Sequence, residues 1–139
     1  MTKNLRGNAV GLLVLALVLT GLGIVATAAE KAGLKAKVVI IGEGRISPKV
    51  GIVTKGTTVI WLNSANGNVN IFFDKGKEVQ AVCAAPTHFT LDAEGKYQSG
   101  AISRGATASL RFVRAGKYRF TVAGFERGIL TLGGQIIVK

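Results

Sequence analysis

The chain has 139 residues, of which 48% are hydrophobic, and a formal net charge of +11 at pH 7. This length accommodates one domain with a single hydrophobic core and excludes two. A single cysteine excludes a disulfide within the chain, so packing alone must stabilise the fold.

The first 29 residues differ from the rest of the chain. Residues 7–29 contain no charged side chain, and Lys3 and Arg6 come directly before them. A basic start, an apolar stretch and a small-residue ending at Ala28 are typical of a secretory signal. Cleavage after Ala28 or Ala29 is therefore one prediction for this segment.

Two other interpretations of the same segment stay open. Residues 9–29 are long enough to cross a bilayer as an uncleaved helical anchor. The pair Arg6 and Gly7, before a long apolar run, also resembles the processing site of type IV pilin-like and archaellin-like subunits, which implies a filament subunit. All three interpretations predict export of residues 30–139, to the periplasm, the cell exterior or the outer face of a membrane.

The exported part is strongly basic. Without Lys3 and Arg6, 16 of the 18 basic residues remain against seven acidic ones, a net charge of +9. Such an excess attracts anionic partners, such as acidic lipids, polysaccharides or a protein with an acidic face. We do not predict nucleic acid binding, because the phenylalanines lie in strand-like runs instead of alternating with basic residues on a surface.

After a linker at residues 30–36, residues 37–139 read as one domain of short strands separated by glycine-containing turns. The segment at 57–63 is apolar on both faces in its second half, which predicts a central strand. No amphipathic helix is predicted after the leader; residues 77–85 are taken as extended and the rest of 76–100 as mostly loop. The pattern favours an all-β, two-sheet sandwich. The predicted strands cover residues 37–41, 50–53, 57–63, 68–74, 107–113, 118–122 and 134–139.

Alternation along these strands also predicts the core. Side chains two residues apart point to the same face of a sheet. We therefore place Trp61, Phe112, Tyr118 and Phe120 in or near the space between the two sheets.

The order of these segments resembles the cupredoxins, the family of plastocyanin and azurin. The matching pieces are ISPKVGIVTKGTTVIWLN (46–63), ISRGATASLRFVRAGKYRFTV (102–122) and the terminal GGQIIV (133–138). Together they span nearly all of residues 37–139. The resemblance implies a Greek-key sandwich and, in ordinary family members, a type 1 copper centre for electron transfer.

The copper ligands that the resemblance implies are absent from their expected positions. Asn68 or Asn70 stands where the first histidine is expected. The later cysteine, histidine and methionine positions fall in TVAGFERGILTLGGQ (121–135), at Val122, at Phe125 and at Leu130 or Leu132. We therefore predict a binding or structural domain that has no intact blue-copper site and needs no cofactor.

Copper stays open through another pair of residues. Cys83 and His88 are the only cysteine and histidine of the chain and lie within six residues of each other. Thiolate and imidazole together suit copper, or zinc with carboxylates from Asp92 or Glu94. Cys83 could equally be a small buried hydrophobic residue, or crosslink two chains, while His88 is an ordinary loop residue.

The sequence does not indicate an enzyme. The serines share a single histidine, and the seven acidic residues are scattered along the chain. No glycine-rich nucleotide-binding loop is present. Catalysis by a Cys-His pair would need a third, orienting group that the pattern does not supply.

Overall fold

The computed structural model describes residues 33–124 and 131–139. Residues 1–29 lie outside this range, so the signal, anchor and pilin-like interpretations stay predictions. Phe125, Leu130 and Arg127 also lie outside it. Within the described ranges, no helix is both long and apolar enough to cross a bilayer.

The described residues form strands and one short helix. In chain order the elements are β1 (Ala36–Gly42), β2 (Arg45–Ser47), β3 (Val50–Val53), β4 (Thr57–Asn63), β5 (Val69–Phe73), α1 (Gly76–Val82), β6 (Cys83–Thr87), β7 (Thr90–Leu91), β8 (Tyr97–Gln98), β9 (Thr107–Phe112), β10 (Gly116–Gly124) and β11 (Thr131–Val138).

The strands make two sheets that face each other. One has five strands in the order β2-β1-β4-β9-β6, and the other has six in the order β3-β11-β10-β5-β8-β7. The pairs β1–β4 and β3–β11 are parallel, and the other pairs are antiparallel. The predicted all-β two-sheet sandwich is confirmed.

Strand β4 is central in its sheet, as its composition predicts. Alternate residues from Thr57 to Asn63 are buried, while Thr58, Ile60 and Leu62 are half-buried on the outer face. β1 and β9 flank the strand on its two sides. Since both faces of β4 lose contact with water, apolar residues are favoured on both.

An aromatic cluster fills the space between the sheets. Trp61 is fully buried and meets Phe73 and Phe120 edge to face, with ring centroids 6.1 and 5.5 Å apart. Phe112 is also fully buried, and the half-buried Tyr118 packs against the cluster. The four predicted core residues are confirmed. Edge-to-face pairing adds to the free energy gained by burying these rings.

Helix α1 corrects the prediction of extended structure for residues 77–82, whereas residues 83–85 are extended in β6 as predicted. The helix has seven residues, with Val79 and Val82 buried three positions apart. Two turns are too short to show a clear helical period in the sequence. Gly76 is required where the helix begins, because a methyl group there would overlap the backbone at Gly95 and Tyr97.

The two adjacent glycines of β11 provide a test of the packing between the sheets. A methyl group at Gly134 would overlap the ring of Phe120, whereas at Gly133 it would meet nothing within 4 Å. We expect Gly134→Ala to lower the free energy of unfolding by about 1–3 kcal/mol, as overpacking does. Gly133→Ala should leave it unchanged or raise it slightly, because alanine loses less backbone entropy on folding. Urea denaturation of both variants makes the comparison; equal effects would contradict this packing.

Candidate functional site

The loops at one end of the sandwich occupy the place where the family resemblance implies a metal site. This end, called here the Asn63 end, holds the turn after β4, residues 99–106 and the end of β10. Asn63 is fully buried, and its Nδ2 donates hydrogen bonds to the carbonyl oxygens of Gly67 (2.8 Å) and Ile102 (2.9 Å). Its Oδ1 accepts one from the amide of Ala65 at 2.9 Å. The amide group of Asn63 is therefore committed to holding the loops.

Asn70, one candidate for the first ligand position, is also engaged in hydrogen bonds. Its Nδ2 donates to Gln98 Oε1 at 2.9 Å, and its Oδ1 accepts from Ser99 Oγ at 3.3 Å. The same Ser99 oxygen accepts from the amide of Ile71 at 2.9 Å. The other candidate, Asn68, is exposed. Asn70 thus serves as a cross-strand link between β5 and β8.

The later ligand positions present aliphatic side chains. Val122 is 2% exposed and is paired with Ile71 and Leu132 on the flanking strands. Leu132 is half-buried and packs against the core. These positions offer no lone pair that a metal could use. Phe125 and Leu130, the other two positions, lie outside the described residues.

Cys83 lies at the opposite end of the sandwich. It is the first residue of β6, is paired with Phe112, and packs half-buried against the core. Burial raises the pKa of the Cys83 thiol from its ordinary value of 9.0 to about 12. Burial, followed by the charge of a Cys83 thiolate, likewise raises the pKa of Tyr97. The neutral thiol is therefore the favoured form at physiological pH.

His88 is exposed and follows the end of β6. Cys83 is paired with Phe112 and Thr87 with Ser109, so three steps along β9, about 10 Å, separate the first and last residues of β6. The backbone of His88 has a positive φ of 67°, next to the buried Phe89. Among the described residues, no three His, Cys, Asp or Glu side chains group closely enough to hold a metal. A metal site at Cys83 and His88 stays a prediction without a third ligand in this range.

Acidic residues that are scattered in the sequence gather in the fold. Four of the five acidic residues in the described ranges line one open hollow of about 360 Å³ beside α1. Helix α1 and the turn between β7 and β8 bring them together. Asp92 is held there by the Lys96 amide at 2.8 Å and by Gln98 Nε2 at 3.0 Å. The four residues are Asp74, Glu78, Asp92 and Glu94.

Basic side chains are distributed differently. Seven basic residues, most of them near turns, are the expected contributors to a basic surface; six of them are exposed, and the seventh, Arg127, lies outside the described residues. Arg104 donates to Asn66 Oδ1 at 2.8 Å, at the Asn63 end. Lys117 and Arg119 lie on the outer face of the six-stranded sheet. The six exposed residues are Lys75, Lys77, Arg104, Arg114, Lys117 and Arg119.

Comparison with solved structures identifies the fold as cupredoxin-like. An oxidised amicyanin with a methionine-to-lysine substitution is 22% identical, with a TM-score of 0.53 over 75% of this chain and 82% of that one. A reduced Cu(I) amicyanin with a proline-to-glycine substitution is 21% identical, with a TM-score of 0.54 over 80% and 89%. A Cu(I) amicyanin with a methionine-to-alanine substitution gives 20% identity and the same TM-score and coverage. No protein-family model matches the sequence, and curated protein sequences gave no significant match.

Two exposed aliphatic residues of β3 were not identified from the sequence as part of a surface, because their neighbours in the fold come from distant strands. Val50 and Ile52 are 46% and 57% exposed on the edge strand β3. The alternation in VGIV, with Gly51 and Val53 buried, is a signal that could have identified them. Their proximity to Lys117 and Arg119 depends on the register of β11 and is not visible in the sequence.

The raised pKa of Cys83 predicts slow alkylation in the native protein. A pKa of about 12 instead of 9.0 leaves far less thiolate at pH 8, the form that reacts. Because the residue is half-buried, we expect iodoacetamide to react at least about tenfold more slowly with the folded protein than in urea. Mass spectrometry measures the rate, and equal rates would show that the thiol is not protected.

The same shift predicts a change of stability with pH. The folded pKa is above the unfolded one, so this contribution to stability is complete below pH 9 and is lost as the pH rises towards 12. Cys83→Ala should lack that part of the loss, which thermal unfolding at pH 8 and pH 10.5 would reveal. An identical loss of stability in the variant would assign it to other groups.

Proposed function

We propose that this chain is an exported, non-enzymatic cupredoxin-fold domain that binds an anionic partner through its basic surface. The observation that carries the proposal is the uneven distribution of charge in the fold. Four of the five acidic residues in the described ranges line one hollow beside α1, and two of them, Asp74 and Glu78, border Lys117 and Arg119, so the rest of the described surface is predominantly basic. Charge distributed in this way presents a positive surface to a partner, which raises the rate and specificity of association.

The proposal includes the absence of a type 1 copper centre. Such a centre needs two imidazoles and a thiolate around the metal. At the Asn63 end, Asn70 is occupied in hydrogen bonds and Val122 belongs to the core. These donor groups do not fit copper, and the sequence has a single histidine and a single cysteine in all.

Export rests on the sequence of residues 1–29, as does the alternative of a pilin-like filament subunit. An apolar segment preceded by basic residues directs a chain out of the cytoplasm whether it is cleaved or retained. A retained segment would add a membrane anchor at residues 9–29. The binding surface proposed here belongs to residues 33–139 and serves the domain in either case.

Salt-dependent retention on an anionic resin tests the basic surface. We expect a chain that starts at Glu30 to bind a sulfonate or heparin resin at low salt and to elute as salt rises, because screening shortens the reach of exposed charges to about 3 Å at 1 M. The double variant Lys117→Gln/Arg119→Gln should elute at clearly lower salt than the wild type.

A matched variant separates local charge from total charge. Lys75→Gln/Lys77→Gln removes the same two charges beside Asp74, Glu78, Asp92 and Glu94. We expect a smaller shift in elution, because four carboxylates line the hollow of these lysines, whereas two line the hollow that contains Lys117 and Arg119. Equal shifts for the two variants would show that only net charge matters, and retention that does not change with salt would contradict the proposal.

A second candidate function, copper binding at Cys83 and His88, is favoured by one observation: Cys83 is only half-buried. Because the thiol pKa is raised and no third ligand groups with the pair in the described ranges, we expect no intense thiolate-to-copper absorption after Cu(II) addition. Visible spectroscopy makes the measurement, and anaerobic titration with Cu(I) tests for weaker binding. An intense band that disappears in Cys83→Ser would favour this second function instead.

A further inference from the structure

The outer face of the six-stranded sheet combines exposed aliphatic and basic side chains. Pairing of β3 with β11, and of β11 with β10, aligns them in two rows across the sheet. One row is Val50, Gln135 and Arg119, and the next is Ile52, Ile137 and Lys117. Val50 is 46% exposed and Ile52 is 57% exposed, so aliphatic groups at the sheet edge lie beside cations in the middle.

Further basic residues surround these rows. Lys49 precedes Val50, and the carbonyl oxygen of Lys49 accepts from the amide of Gln135 at 2.9 Å. Lys55 and Lys139 meet where β3 and β11 end, called here the lower end of the face. The Lys55 amide donates to the carbonyl oxygen of Lys139 at 3.2 Å. All five basic residues are exposed. The basic-apolar face is thus formed by Val50, Ile52, Ile137, Lys49, Lys55, Lys117, Arg119 and Lys139.

We propose that the anionic partner is a lipid bilayer surface, bound through this basic-apolar face. The inference deepens the proposed function and rests on it. Peripheral binding to membranes combines buried aliphatic area with electrostatic attraction to acidic headgroups. Both components are present on one side of the domain, on strands whose backbone is fixed by the sheet.

An open hollow in the face brings two of its cations together. Its volume is about 370 Å³, and Lys49, Arg119, Thr121 and Gln135 are among the residues lining it. Asp74 also lines it and is the acidic residue there. With two cations and two neutral polar side chains against one carboxylate, the hollow favours a lipid phosphate over a cation.

The composition of the face argues against other anionic partners. Protein interfaces are enriched in aromatic residues and depleted of lysine, yet four of the five cations here are lysines, and the ring of Phe72, which is paired with Thr121, is half-buried with Lys96 Nζ 5.1 Å from its centroid. Single-stranded nucleic acid would need aromatic rings on which bases stack. A soluble polysaccharide would use the cations and leave Val50 and Ile52 in water.

The start of the described chain lies beside this face. Lys35 Nζ donates to Thr54 Oγ1 at 3.2 Å, in the turn that contains Lys55. The chain therefore joins the domain next to the lower end of the basic-apolar face. An uncharged sequence, residues 7–29, comes only a few residues earlier.

Vesicle sedimentation with a chain that starts at Glu30 tests the proposal. This chain includes Lys35–Lys139, a compact unit that contains both sheets and the entire described core. Circular dichroism showing a β spectrum confirms folding before each measurement. We expect binding to phosphatidylglycerol–phosphatidylcholine vesicles and none to phosphatidylcholine alone. Lys117→Gln/Arg119→Gln should weaken binding about fivefold per charge removed.

The two sheets supply a matched control for the aliphatic part. Val50→Thr/Ile52→Thr should weaken vesicle binding by at least about fivefold, since less apolar area enters the bilayer. Val38→Thr/Ile40→Thr changes residues of 46% and 43% exposure on the outer face of the five-stranded sheet and should have no effect. Threonine suits a strand, so both variants should fold.

The outcomes distinguish this inference from the proposed function. Equal weakening by the two threonine pairs, or no binding to anionic vesicles, would overturn the lipid assignment. If heparin binding persisted in that case, a soluble polyanion would be the partner and the proposed function would stand. Loss of binding to vesicles and heparin alike would overturn both. We expect Val50→Thr/Ile52→Thr to leave heparin binding unchanged, because heparin contacts the cations and not the aliphatic side chains.

Discussion

The buried amide of Asn63 holds the two sheets together at one end of the sandwich. Asn63 belongs to β4, in the five-stranded sheet, yet it donates to the carbonyl oxygen of Ile102, whose own amide and carbonyl groups pair with Val69 of the six-stranded sheet. All of its described bonds stay within the protein, so a buried polar group is satisfied at little cost. Replacing the amide with an apolar group would remove the described partners of the Gly67 carbonyl and the Ala65 amide, and would leave the Ile102 carbonyl bonded to Val69 alone. The Asn63 side chain therefore links three segments of the loops at this end.

Because the Asn63 amide already links the loops at this end, the fold does not need a metal there. The positions that the family resemblance assigns to metal ligands hold aliphatic side chains instead. Val122 and Leu132 continue the core up to the loops, and Asn70 joins β5 to β8 through Gln98. Hydrogen bonds and apolar packing therefore close the Asn63 end. At the other end, Cys83 extends the core beside Phe112. Burial favours the neutral thiol of Cys83, because a thiolate there would be poorly solvated. Packing therefore suits this side chain better than a role as a nucleophile or a metal ligand.

The sequence predicts the sheets well because alternation is a local property. The inward positions of Trp61, Phe112 and Phe120 depend only on the pleat of their own strands. Helix α1 escaped prediction because two buried valines in seven residues do not define a period, and the close approach of Gly76 to Tyr97 is a tertiary contact. The relation of Cys83 to His88 was equally hidden. It depends on where β6 begins and on its pairing with β9.

The distribution of charge could not be deduced from the sequence for a related reason. Asp74 and Glu94 are twenty residues apart and meet only because α1 packs beside the turn that follows β7. Asp74 and Glu78 also border Lys117 and Arg119, so the potential at these two cations depends on how α1 packs. Net charge is a property of composition, whereas a surface potential depends on topology.

The two outer faces of the sandwich differ in what surrounds their aliphatic residues. On the five-stranded sheet, Val38 is paired with Ile60, which is paired in turn with Ser109, so the row is neutral. On the six-stranded sheet, the row from Ile52 ends at Lys117. Because a sheet fixes these positions before any partner arrives, binding would order only side chains and lose little backbone entropy. A rigid face that combines cations and aliphatic groups also sets a single orientation on a surface, because the exposed Val38 and Ile40 on the opposite sheet lie in rows that carry no charge.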